Sequence, residues 1–135
     1  MTVIDSSCVL DYLLGVGSVA HVEALLEQEG ELAAPDLLVF EVLAVLRREA
    51  LGGSLAEDRA AAAVEDLGDV PLELYPSLSL RERAWSLHEN LTVADALFAA
   101  LAEQLREPLA TNDRSLAAAL SEHTRVDVVR LGHAG

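Results

Sequence analysis

Lysine is absent from this 135-residue chain, and all of its basic residues are arginine. That excludes chemistry resting on a lysine amine: P-loop nucleotide hydrolysis, Schiff-base catalysis and receiver-type phosphotransfer. Positive charge of any kind is scarce, with 9 basic residues against 23 acidic ones and a formal net charge of −14. General coating of nucleic acid, which depends on neutralising phosphates, is excluded; contact through metal ions or a small basic patch is not. The single Cys8 cannot form an internal disulfide and is compatible with a reducing compartment without requiring one. Aromatic residues are few, and Tyr12, Phe40, Tyr75, Trp85 and Phe98 are too scattered for a base-stacking platform. No apolar run reaches the roughly 20 residues of a membrane helix, and no basic region precedes an apolar one at the N-terminus. The expectation is a soluble, cytoplasmic protein. Hydrophobic residues make up 52%, with no low-complexity tract, which excludes disorder. The length predicts a single domain over residues 1–135, with residues 131–135 as a frayed tail.

Short apolar runs alternate with helical patterns. Thr2-Val3-Ile4, Leu32-Ala33-Ala34, Val70–Tyr75, Leu109-Ala110 and Val126–Leu131 read as strands. Helices are expected from Cys8 to Leu14, after a Ser18 cap, from an Asp36 cap to about Ala50, and after the capping boxes at Ser54–Glu57 and Ser79–Glu82. Two more follow Thr92 and Asn112 or Asp113, the latter running to about Leu120. Such alternation predicts an α/β fold with a mostly parallel sheet, and strands without polar alternation predict that both sheet faces are covered.

Most acids, including Glu23, Glu27, Glu29, Glu31, Glu57, Glu65, Asp66 and Glu103, read as solvated surface. Four are placed differently. Asp5 and Asp113 each follow a strand, where open α/β sheets bind ligands, though each could equally cap the helix it precedes. Asp95 stands in the first turn of its helix, where a carboxylate also favours the helix dipole. Glu41 interrupts Leu37–Leu46, a helix apolar on nearly every face; buried there it needs a cation, and otherwise it marks the helix's one wet stripe. If the strands of Asp5 and Asp113 are neighbours, all four acids converge, and hard divalent cations are what joins carboxylates in one cleft. No catalytic triad or zinc motif is evident: Ser6, Ser7 and Ser115 have no identifiable histidine partner, and His21, His88, His123 and His133 lack zinc-ligand spacing. Cys8 reads as a small buried residue and Trp85 as core or interface.

The ordered set Val3-Ile4-Asp5-Ser6-Ser7, Pro35–Leu43 with Glu41, Thr92-Val93-Ala94-Asp95-Ala96 and Leu109–Arg114 resembles a PIN domain, and more narrowly the VapC toxins of VapBC toxin–antitoxin modules. The resemblance implies a parallel sheet of about five strands in the order 3-2-1-4-5, with helices on both faces. It implies a Mg²⁺- or Mn²⁺-dependent endoribonuclease, with Asp5, Glu41, Asp95 and Asp113 as catalytic and metal-binding residues and Ser6, Ser7 and Thr111 as supporting polar groups. No role attaches to Asn112. Among Arg47, Arg48, Arg81, Arg83 and Arg114, the last is the best contact for an RNA phosphate, while helix-end charge accounts for Arg81 and Arg83. Expected partners are RNA and a VapB-type antitoxin. The excess apolar surface of the Leu37–Leu46 helix predicts a homodimer. The alternative is a PIN-like protein-binding module with weak or no nuclease activity.

Overall fold

The computed structural model describes residues 1–132. Five strands form one sheet: β1 (Val3–Ile4), β2 (Leu32–Pro35), β3 (Leu72–Tyr75), β4 (Leu109–Thr111) and β5 (Val128–Arg130). Their order is β3-β2-β1-β4-β5 and every pairing is parallel, with Val3 beside both Ala33 and Leu109. Seven helices connect them: α1 (Ser6–Leu14), α2 (Val19–Glu29), α3 (Leu37–Leu51), α4 (Glu57–Leu67), α5 (Arg81–Ser86), α6 (Val93–Leu105) and α7 (Arg114–His123). Both the α/β class and the strand order agree with the expectation.

Successive strand side chains point to opposite faces. Val3 and Ile4 are both 0% exposed, so both faces of the central strand are covered. The short runs of Leu32-Ala33-Ala34 and Leu109-Ala110 are buried throughout for the same reason, whereas edge strand β3 is only half covered. Small residues on α6 (Ala96, Ala99, Ala100 and Ala102) let that helix pack closely on β1, β2 and β4. The chain leaves β1 toward β2 on one side and returns to β4 on the other, so the switch point lies between β1 and β4. No single described helix is long and apolar enough to cross a membrane.

Several local expectations are corrected. Ser18 does not cap α2; it is fully buried, and its hydroxyl donates to Asp11 Oδ2 at 2.8 Å. Asp36 precedes α3, but its carboxylate accepts from Ser77 N (3.2 Å) and Oγ (2.6 Å), fastening the end of β2 to that of β3. Neither capping box forms. Ser54 turns back to Glu49, which leaves Ala56 at the N-cap of α4. Ser79 lies inside a 3-10 turn, Ser77–Leu80, donating to Pro76 O at 3.1 Å. Strands β3 and β5 are shorter than the apolar runs that contain them, and α7 continues three residues beyond Leu120. Leu131 is not frayed: it is buried, and its N–H donates to Thr111 O at 2.9 Å. Residues 133–135 of the expected tail lie outside the described residues. Trp85 is not core; it is 65% exposed and stacks on His88 with ring centroids 4.1 Å apart.

Candidate active site

Asp5 is the residue immediately after β1, and its N–H donates to Ala110 O at 3.1 Å, which ties it to the end of β4. It is the N-cap of α1, accepting from Cys8 N at 3.0 Å through Oδ1. That satisfies the capping alternative, yet one cap does not use up a carboxylate. Ser7 Oγ also lies 2.9 Å from Oδ1, and the Thr111 hydroxyl donates to Oδ2. Asp5 is 6% exposed, and the hydrogen-bonded groups around it are all neutral.

The same Thr111 hydroxyl accepts from Asp113 N at 3.0 Å, so one side chain bridges two of the acids. Asp113 caps α7, accepting from Ser115 N (2.8 Å) and Leu116 N (3.2 Å) through Oδ1. Asp95 stands on the first turn of α6, whose N-cap Thr92 accepts from Asp95 N at 3.1 Å. Glu41 is half-buried on α3 and accepts from Ser6 Oγ at 3.1 Å. Ser6, Ser7 and Thr111 therefore each hydrogen-bond at least one of the acids.

The four acids share one electrostatic neighbourhood. Burial pushes the Glu41 carboxyl above its ordinary value; the Ser6 hydrogen bond offsets part of this, and the charges of Asp95 and Asp5 add to it. Burial likewise raises Asp95, with relief from Thr92 and further increases from Asp113 and Asp5. None of the four takes part in an ion pair among the described residues. The nearby Cys8 thiol is pushed up by burial and by the Asp5 charge, so it stays protonated and is no nucleophile.

These donors are hard oxygens with net negative charge and no competing cation, the chemistry that Mg²⁺ and Mn²⁺ prefer. By donor type the residues fit such an ion. As the side chains stand, no three His, Cys, Asp or Glu among the described residues are grouped closely enough to hold one.

Of the candidate arginines, Arg114 lies exposed beside Asp113 and forms no ion pair among the described residues. Arg83 is committed elsewhere, its guanidinium forking onto Glu103 at 2.7 and 3.0 Å. Glu103 is therefore not simply solvated, and neither is Glu29, which accepts from Thr2 N and Oγ1 at 2.6 Å each. Two residues without a role on sequence grounds join the site. Asn112 Oδ1 lies 2.8 Å from Ser7 Oγ, and its Nδ2 donates to Asp11 Oδ2 at 2.7 Å. Asp11 carried a legible signal: it is the one acid in the apolar segment Cys8–Leu14, just as Glu41 is in Leu37–Leu46.

A parallel α/β sheet with acids gathered where its strand order reverses defines the class. Residues 2–120 match the PIN domain, and the chain belongs to that family. Within it, the chain is a VapC-type member. It is 40% identical over 129 residues to Ribonuclease VapC1 of Mycobacterium tuberculosis, covering 95% of this chain and 97% of the relative. Ribonuclease VapC12 of the same organism is 28% identical, covering 96% and 99%. The fold also matches the crystal structure of PAE2754 from Pyrobaculum aerophilum, with a TM-score of 0.71 at 23% identity over 94% of this chain and 81% of that one.

Proposed function

We propose that this chain is a metal-dependent endoribonuclease acting as the toxin of a cytoplasmic toxin–antitoxin module. The observation that carries this reading is Asp5: it is nearly buried at the switch point, and its charge bears on Glu41 and Asp95 with no cation paired to any of them among the described residues. The similarity to proteins named ribonucleases supplies the substrate class.

Asp5, Glu41, Asp95 and Asp113 are the residues that would hold Mg²⁺ or Mn²⁺. When bound, such an ion lowers the pKa of a water and neutralises charge developing on phosphoryl oxygens. The chain's own work is positioning. Cys8 N–H and the Thr111 hydroxyl orient Asp5, Thr111 links it to Asp113, and Ser6 orients Glu41. Arg114 extends from the first turn of α7 toward solvent, available to a phosphate of the RNA strand.

The partners in this reading are RNA, a VapB-type antitoxin and a second copy of the chain. Phe40 is 68% exposed and Leu43 38% on α3, more apolar surface than a lone domain of this size needs to leave uncovered. A monomer by light scattering at micromolar concentration, with no small protein co-purifying from the native host, would count against both protein partners.

The test is sequencing of RNA 5′ ends after brief expression in cells, beside an Asp5→Asn control, with cleavage by purified protein assayed in Mn²⁺ and in excess EDTA. New 5′ ends absent from the control, together with cleavage that stops in EDTA, support the reading. Undiminished cleavage in chelator would sink the metal mechanism. A protein that binds Mn²⁺ but cuts no RNA across a broad panel would replace the enzyme with a binding module.

A further inference from the structure

The Ser7 hydroxyl stands between two acceptors, Asp5 Oδ1 at 2.9 Å and Asn112 Oδ1 at 2.8 Å. A hydroxyl has one proton, so it donates to only one of them at a time. Which one prevails depends on the Asn112 amide. Were that amide turned over, its NH₂ would face Ser7 and donate to it, and the Ser7 proton would fall wholly to Asp5. The opposite end of the amide forbids this. Nδ2 donates to Asp11 Oδ2 at 2.7 Å, and turning the amide would set a carbonyl oxygen against a carboxylate.

Asp11 is itself held firmly. Its Oδ2 also accepts from Ser18 N (2.9 Å) and Ser18 Oγ (2.8 Å), in the loop between α1 and α2. Gly17, at φ +52°, lies against it so closely that a Cβ there would collide with the carboxylate. Ser18 and Asn112 thus hold the carboxylate from two sides.

We propose that Asp11 is a positioning residue for the acidic site: by fixing the Asn112 amide it keeps a second acceptor on the Ser7 hydroxyl, so that Ser7 can turn its proton from Asp5 Oδ1 to Asn112 Oδ1 when a cation takes that carboxylate oxygen. This rests on the cation-site function proposed above, and it gives Asp11 a role separate from the four acids. Groups that orient a metal ligand typically contribute about 10–100-fold in affinity.

The experiment is calorimetric titration of Mn²⁺ into wild type, Asp11→Ala, Asn112→Ala, the double variant and Ser18→Ala, with melting curves of each. Asp11→Ala and Asn112→Ala should each weaken Mn²⁺ binding about tenfold. The double variant should also lose about tenfold, because both substitutions take the same second acceptor from Ser7. Ser18→Ala, which removes one of the hydrogen bonds that hold Asp11, should lower the melting temperature and weaken Mn²⁺ binding by less than Asp11→Ala does. In the metal-free proteins, the Asn112 side-chain amide protons should exchange with solvent faster in Asp11→Ala than in wild type. Wild type that binds Mn²⁺ while Asp11→Ala binds it equally well overturns the positioning role alone. Additive losses of about a hundredfold in the double variant overturn the path through Asn112, as does an unchanged amide exchange rate. Wild type with no saturable Mn²⁺ binding overturns the cation-site function and the role of Asp11 with it.

Discussion

The two ends of the sheet treat carboxylates in opposite ways. At the amino ends of the strands, Glu29 takes both the N–H and the hydroxyl of buried Thr2, and Glu107 pairs with the N-terminal amine at 3.1 Å. At the carboxyl ends, the carboxylates of Asp5, Glu41 and Asp113 accept from neutral groups only among the described residues, and the raised carboxyls of Glu41 and Asp95 register their neighbours' charges. One end uses acids to close the fold. The other keeps acids whose charge the fold leaves uncompensated. In a chain with a formal net charge of −14 such crowding is costly, and beyond the helix caps that Asp5 and Asp113 provide it is the feature on which the proposed cation site rests.

The comparison predicts different consequences for substitutions at each end. The largest effect is on chemistry: Asp5→Asn and Asp113→Asn should each lower RNA cleavage by at least about 100-fold, beyond the range for groups that only orient a ligand. Both proteins should keep wild-type circular dichroism, and wild-type turnover in either would remove that acid from the site. At the amino end the effect falls on stability instead. Glu29→Ala leaves the buried Thr2 N–H and hydroxyl without their acceptor and should cost about 1–3 kcal/mol in urea unfolding, with per-molecule cleavage unchanged.

A smaller effect is the pH dependence of the metal-free protein. Raised carboxyl pKa values mean that the folded state holds protons the unfolded state has released. Folding stability is then present below the ordinary values, 4.5 for Glu41 and 3.8 for Asp95, and is lost as pH rises through the higher folded values. Titration of the many other acids contributes as well, so the informative quantity is the difference between wild type and Glu41→Gln. Melting temperatures should converge toward low pH and separate in favour of the variant as pH rises. A constant gap across the series would contradict the shared neighbourhood of the acids.

Much of this arrangement is legible in the sequence, for identifiable reasons. Strands covered on both faces leave unbroken apolar runs, so Val3-Ile4 and Leu109-Ala110 read as buried strands with Asp5 and Asp113 just beyond their carboxyl ends, while their adjacency followed only from the resemblance to PIN domains. Glu41 stands out because the segment around it, Leu37–Leu46, is otherwise apolar. What remains hidden is where small polar side chains turn. Ser18, Asp36, Ser54 and Ser79 all have the spacing of helix caps, yet each bonds a tertiary or turn partner instead, a competition that local sequence does not settle. Asn112 and Asp11 were missed for a related reason. Their contact spans 101 positions, and only the packing of α1 beside the end of β4 brings them together.

Melting curves of wild type, Glu41→Gln and Glu29→Gln, with and without Mn²⁺, test most directly whether the carboxyl-end acids are a cation site. A ligand that binds the native state stabilises it in proportion to its affinity, so the shift on adding metal reports the site itself. Glu41→Gln should melt at or above wild type without metal and show a reduced Mn²⁺ shift; Glu29→Gln should melt lower without metal and show the full shift. A Glu41→Gln protein destabilised by about 3–5 kcal/mol, with its Mn²⁺ shift intact, would make Glu41 a structural ion-pair partner and contradict the account.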